Sequence, residues 1–85
     1  MSADNGYIVS KLALGEDQRL YGIFDYCASV DEPPSYYTEA NALDCFLDPV
    51  MAILMAHRRE KEWSTEYGVY VHGSVLGDAL KGYKP

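Results

Sequence analysis

The chain has 85 residues, a formal net charge of −6 at pH 7 and 48% hydrophobic residues. A chain of this length forms one small domain that buries about 60–65% of its unfolded surface, and its apolar fraction predicts a folded protein rather than a disordered one. The acidic balance argues against direct binding of nucleic acid or of an anionic membrane, since Lys and Arg drive both.

The acidic residues are concentrated in one half of the chain. Residues 20–56 contain no Lys or Arg, yet they contain six Asp and Glu residues and several tyrosines. The two cysteines, Cys27 and Cys45, form no CxxC pair. No stretch reaches the roughly 20 apolar residues of a membrane span, and the N-terminus lacks the pattern of a secretory leader. We therefore expect a cytoplasmic protein with reduced thiols.

Two strands are predicted first. Residues 7–14 form an apolar run that follows a turn at residues 4–6, and residues 19–28 alternate between two faces. The short connection around Gly15 predicts an antiparallel hairpin. Residues 29–37 are predicted to be a loop, because two consecutive prolines remove two backbone donors from any sheet.

A helical region is predicted to begin with Thr38 as its N-cap and to end at residues 63–64. Apolar side chains at three- and four-residue spacing mark a stripe that faces the core: Leu43, Phe46, Leu47, Val50 and Leu54. Pro49 interrupts the region, and a proline inside a helix costs about 3 kcal/mol. We expect a break at this point, with Asp48 as the N-cap of a second helix that begins at Pro49. A single helix kinked at Pro49 is the alternative.

Residues 66–72 are predicted to form the last strand, because they are rich in β-branched and aromatic side chains. Residues 75–80 fit one helical turn, and residues 82–85 a loose tail. The chain is thus predicted to be a single α+β domain over residues 1–85. It has a small antiparallel β-sheet, in β-β-α-β order, with a helical layer on one face.

Three segments carry a family resemblance. The chain opens Met-Ser-Ala-Asp-Asn-Gly, residues 38–40 read Thr-Glu-Ala, and residues 66–69 read Glu-Tyr-Gly-Val. These segments resemble, in this order, a family of short proteins encoded by tailed bacteriophages, over residues 1–72. The chain departs from the family at Pro49 and lacks its Arg-Val-Ala-His element. The resemblance implies a phage origin and a location in the host bacterial cell, but no reaction, because the family has no assigned activity.

Residues that could support catalysis or bind a metal are few. His57 and His72 lie in separate elements, and no H-x-x-x-H or C-x-x-C motif occurs. Asp44 and Asp48 lie one turn apart on a continuous helix, but this spacing is also common on solvated helix faces. We predict that the protein is not an enzyme and binds no metal or cofactor.

Tyrosines beside carboxylates predict a protein-binding surface, because tyrosine is enriched at interface hot spots. The predicted partner-binding residues are Asp25, Asp31, Glu32, Tyr36, Tyr37, Glu39 and Asp44. The most specific hypothesis is an inhibitor of a bacterial defence system, of the anti-CRISPR or antirestriction type. Its carboxylates would meet the basic nucleic-acid-binding surface of a host protein. The alternative is that about half of the tyrosines pack beneath the helix.

Residues 50–56 are apolar all round, which predicts that the helix is covered on a second side. We predict a homodimer, because small side chains permit close helix–helix approach. Its interface residues would be Cys45, Met51, Ala52, Met55 and Ala56. The alternative cover is the segment 75–80.

Two other classes of function remain open. One is a small-ligand-binding or sequestering protein with a pocket between sheet and helix, lined by His57, Trp63, Tyr67 and Tyr70. The other is a homo-oligomeric structural or regulatory module.

Overall fold

The computed structural model describes residues 5–13, 19–27, 34–63 and 68–82. In this part of the chain, four strands and two helices follow one another with two 3₁₀ turns between the second and third strands. The strands are β1 (Asn5–Lys11), β2 (Tyr21–Cys27), β3 (Asp44–Phe46) and β4 (Gly68–Val71), and the helices are α1 (Pro49–Trp63) and α2 (Ser74–Gly82). The α+β class predicted from the sequence is confirmed.

The strands form one sheet in the order β3-β2-β1-β4. β1 pairs antiparallel with β2, as predicted, and β2 pairs antiparallel with β3. β4, however, pairs parallel with β1, so the prediction of an antiparallel sheet is wrong at this edge. The physical reason is β3, which reverses the chain direction once more before α1. β3 and β4 therefore run in the same direction, and parallel strands need a crossover such as α1.

The predicted helix that starts at Thr38 is also wrong. Thr38 precedes a 3₁₀ turn, Glu39–Asn41, and makes no side-chain cap hydrogen bond to it. The chain then becomes extended, because Leu43 N–H donates to the Ile23 carbonyl at 2.7 Å and β3 continues this pairing with β2. The supposed core stripe consequently faces solvent in part, with Leu47 77% exposed.

α1 begins where the sequence predicts. Its first residue is Pro49, and the Val50 N–H donates to Oδ1 of Asp48 at 3.0 Å. Asp48 is therefore the N-cap, and proline occupies the first helical position, where its missing N–H costs nothing. The break at Asp48 and the predicted end near residue 63 are confirmed, and the kinked single helix is excluded.

α2 is longer than the single turn predicted. It runs over nine residues, Ser74–Gly82, and takes in the first residue of the predicted tail. Gly73 joins it to β4 with a φ of 37°, a left-handed conformation that favours glycine. Residues 83–85 lie outside the described residues.

Both helices cover one side of the sheet. Buried side chains of β1, β2, α1 and α2 pack together there: Tyr7, Val9, Tyr21, Ile23, Ala52, Ala56 and Val75. The two alanines are one turn apart, and their small side chains let α1 lie close to the strands. A second buried cluster lies on the opposite side of the sheet: Ile8, Leu12, Phe24 and Tyr37.

Candidate functional site

Aromatic rings cover the side of the sheet that faces away from the helices. Phe24 lies fully buried at its centre, and the segment 34–42 passes over it. The rings of Tyr36 and Tyr37 lie 5.7 and 5.1 Å from the ring of Phe24. We call the tyrosines on this side the tyrosine face: Tyr26, Tyr36, Tyr37 and Tyr70.

Tyr26 and Tyr70 form a pair across β1, the strand between β2 and β4. Tyr26 on β2 lies opposite Gly6 of β1, whereas Tyr70 on β4 lies opposite Ile8. Their ring centroids are 4.8 Å apart and their planes are tilted by 51°. The side chain of Tyr70 is 44% exposed, and that of Tyr26 is half-buried. The sheet thus holds two aromatic rings together at the surface.

Tyr37 has a supporting role beside this pair. It is 9% exposed, its ring edge contacts Phe24, and the His72 ring lies 5.4 Å away. The Ala13 N–H donates to the Tyr37 carbonyl at 2.6 Å, which ties the segment 34–42 to the sheet. Tyr37 was predicted to bind a partner, but its burial makes it part of the base beneath the more exposed Tyr36.

Most of the basic side chains lie on the helix side. Lys11 contacts Asp78 of α2, while α1 carries Arg58, Arg59 and Lys61, and α2 carries Lys81. The tyrosine face is thereby separated by the sheet from most of the positive charge. Because cations are attracted to aromatic faces, such a surface favours a positively charged partner over a negatively charged one.

The structure divides the predicted acidic surface between the two sides of the sheet. Asp25 is exposed. It lies two residues after Ile23 on β2, so its side chain is on the same side of the sheet as that of Ile23, the helix side. Asp44 also lies there, and its Oδ2 accepts from Arg59 Nη2 at 2.6 Å and from Nε at 3.1 Å. Its charge is therefore compensated within the chain. Asp31 and Glu32 lie outside the described residues.

Glu39 is the predicted acid that stays with the aromatic side. It is exposed in the second 3₁₀ turn, and its charge acts on Cys45 of β3. Cys45 pairs with Gly22, which lies two residues before Phe24 on β2. Cys45 is therefore on the same side of the sheet as Phe24, the side of the tyrosine face. Partial burial, then Glu39 and Asp44, raise the pKa of the Cys45 thiol. A raised pKa keeps this sulfur protonated at neutral pH, where it is a poor nucleophile.

The predicted homodimer interface is corrected in part. Ala52 and Ala56 are fully buried against the sheet within one copy of the chain, so they cannot contact a second copy. Cys45 lies on an edge strand rather than on the helix. Met51 is exposed, and Met55 is half-buried. The small-residue line thus serves helix–sheet packing.

Met55 instead lines an open groove of about 280 Å³ between β3 and α1. The other lining residues are Asp44, Arg58, Arg59 and Glu62. The Asp44–Arg59 pair lies in this groove, so its charges are largely satisfied internally. The groove therefore offers no concentrated charge of either sign to a ligand.

The structure does not bring together two of the residues predicted to line a ligand pocket between sheet and helix. Tyr70 lies on the tyrosine face, whereas His57 lies on α1, where its Nδ1 is 3.4 Å from Glu60 Oε1. The sheet separates these two side chains. Tyr67 and the side chain of Trp63 lie outside what the structure describes.

A polar cluster fastens α2 to the sheet on the helix side. Lys11 Nζ lies 2.7 Å from Asp78 Oδ2, and the Tyr21 hydroxyl donates to the same oxygen at 3.0 Å. The hydrogen bonds from Lys11 and then Tyr21 lower the pKa of Asp78 below its ordinary value of 3.8. The same contact raises the pKa of Lys11, and burial followed by Asp78 raises that of Tyr21.

We expect Asp78→Asn to weaken the acid dependence of stability. A carboxyl whose pKa is lowered on folding stabilises the protein above its unfolded value, and this contribution is lost as the pH falls through the folded pKa. As the pH is lowered below 3.8, the melting temperature of the wild type should therefore decrease more steeply than that of the variant. Lys11→Met should reduce the slope in the same way, because Lys11 is the largest cause of the shift. Equal slopes for wild type and both variants would contradict this account.

Among the described residues, no group of three or more His, Cys, Asp or Glu side chains is placed to hold a metal ion. In the same part of the chain, neither helix has the length and apolar character needed to cross a bilayer.

No known protein family, curated protein sequence or solved structure matches this chain. The resemblance of its short segments to bacteriophage proteins therefore stays a prediction.

Proposed function

We propose that the protein acts by binding another protein through the tyrosine face, and not by catalysis. The observation that carries this proposal is the Tyr26–Tyr70 pair, held at 4.8 Å on a sheet and partly open to solvent. Aromatic residues on a rigid support give a large contact area at a small entropy cost. Tyr36 is half-buried, its ring packs against Phe24 on the same side of the sheet, and it extends the same surface.

The charge distribution supports a basic partner. The basic residues of α1 and α2 lie across the sheet from the tyrosine face, and Glu39 is exposed on its side of the molecule. A Lys or Arg side chain of the partner can stack on Tyr70 or Tyr26, a contact of about 0.5–2 kcal/mol depending on how far it is desolvated. The net charge of −6 attracts such a partner at long range.

In its most specific form, the proposal is a phage-encoded inhibitor of a bacterial defence system, of the anti-CRISPR or antirestriction type, acting in the host cytoplasm. The basic surface would be the nucleic-acid-binding surface of the target. The acidic chain would occupy the place of the phosphates without binding nucleic acid itself. The net charge and the aromatic face support this form.

The experiment is a comparative pull-down from bacterial lysate with three baits: the wild-type chain, Tyr26→Ala/Tyr70→Ala and His57→Ala. The side chain of His57 is 52% exposed on α1, across the sheet, and serves as the matched control. We expect the partner to be retained by the wild type and the control and lost by the tyrosine variant. Loss of a hot spot of at least 2 kcal/mol weakens binding about 30-fold.

Two measurements make the result decisive. Thermal melting must show that the tyrosine variant is folded, and the retained partner must be displaced from its nucleic acid by the wild-type chain. Raising the salt concentration should slow association, because charge attraction is screened. A partner retained equally by all three baits would place the binding surface elsewhere.

A further inference from the structure

The two helices leave a group of large apolar side chains uncovered. Met51 and Leu54 are 45% and 58% exposed on α1, and Leu76 and Leu80 are 51% and 67% exposed on α2. α1 packs against α2, so both pairs lie in the same layer, on the side of the sheet away from the tyrosine face. We call these four residues the helical patch.

The helical patch is more than scattered surface leucines. Met51 and Leu54 are three residues apart, and Leu76 and Leu80 are four apart, so each pair forms a stripe along its helix. Single exposed apolar residues need no explanation, but stripes on adjacent helices mark an interaction surface. A standard dimer takes about 800 Å² from each partner, which is about one seventh of this chain's 5789 Å² surface.

The charges along α1 indicate which partner fits. Asp48 stands exposed before the stripe. Arg58 and Lys61 stand exposed after it, together with Glu62, which lies 3.8 Å from Arg58. An antiparallel pair of α1 helices, centred between Met51 and Leu54, places Met51 of one copy against Leu54 of the other. The same arrangement brings Asp48 of each copy close to Arg58 of the other, twice by symmetry. Opposed helix dipoles also favour it.

We propose that a second copy of this chain covers the helical patch and forms a two-fold dimer with antiparallel α1 helices. A two-fold contact requires a patch that complements itself, and the order Asp48, Met51, Leu54, Arg58 along one face of α1 meets this requirement. Ala52 and Ala56 take no part, since they face the sheet. The tyrosine faces of the two copies then point away from each other, so the dimer presents two of them.

The test is sedimentation velocity of the full chain from micromolar to millimolar concentration. We expect a reversible dimer, and we expect Leu54→Glu to raise its dissociation constant by at least tenfold. Arg58→Glu should also weaken the dimer, and this effect should shrink at high salt. Arg58 is 72% exposed, so this second variant retains the fold. Tyr70→Glu, on the opposite side of the sheet, is the control and should dimerise as the wild type does.

Three outcomes would overturn the proposal. The first is a wild type that stays monomeric throughout the concentration range. The second is a dimer that Leu54→Glu does not affect, and the third is a dimer that Tyr70→Glu abolishes as completely as Leu54→Glu does. The last result would move the contact to the tyrosine face. A loss of dimer confined to Leu54→Glu and Arg58→Glu, with unchanged melting of the monomers, supports the antiparallel pair.

Discussion

Phe24→Ala is expected to lower the free energy of unfolding by about 3–5 kcal/mol. Phe24 is fully buried, its ring meets Tyr37 edge-on at 84°, and Tyr36 leans on it at 5.7 Å. Truncation removes the ring that holds the segment 34–42 against the sheet and leaves a cavity. A chain of 85 residues has about 4–13 kcal/mol of stability in total, so the variant is close to unfolding.

Urea denaturation at constant pH measures this effect, through the transition midpoint and its slope. Tyr70→Ala is the control, because it also removes an aromatic ring but from a side chain that is 44% exposed. Its midpoint should shift much less. If the two variants shift the midpoint equally, Phe24 does not form the base of the tyrosine face.

Local chemistry determined the features that the sequence predicts correctly. Asp48 followed by Pro49 specifies a helix start through one side-chain acceptor and one missing N–H, and both act within three residues. The antiparallel pairing of β1 and β2 likewise follows from the alternation of their side chains and from their being consecutive strands of the chain. Such features need no knowledge of the rest of the chain.

β3 could not be predicted because its signal is weak and ambiguous. It has only three residues, and Leu43, Phe46 and Leu47 happen to fit helical spacing as well as extended backbone. Pairing with β2, and not propensity, decides the outcome. Missing this strand also reversed the expected direction of β4, since each additional strand turns the chain round.

The candidate site shows a second limit of sequence reasoning. Asp25 and Tyr26 are neighbours in the acidic half of the chain, but adjacent residues of a strand point to opposite sides of a sheet. A count of acids along the chain therefore does not predict an acidic surface. The signal that was present is the period of two, which places Tyr26 with Phe24, while the approach of Tyr70 depends on the parallel pairing of β4 with β1.

That pairing leads to the second large effect. Gly6→Ala is expected to destabilise the protein by about 3 kcal/mol, at the upper end of the cost of overpacking. Gly6 lies opposite Gly68 in the parallel pair, and a Cβ at Gly6 would come within 3.0–3.1 Å of the Gly68 nitrogen and carbonyl carbon, and closer still to its oxygen. These are backbone atoms, which cannot move aside unless β4 separates from β1.

Gly68→Ala is the matched control, because it adds the same methyl group to the facing residue. Its nearest neighbours would be ring atoms of Tyr70 at 3.8 Å, an ordinary contact, so we expect almost no change in stability. Urea midpoints give the two costs, and amide hydrogen exchange shows whether β4 opens before β2. In Gly6→Ala, β4 should exchange faster and Tyr70 should lose its contact with Tyr26, so partner binding should weaken with it. Equal stability of the two variants would mean that β1 and β4 are not packed this closely.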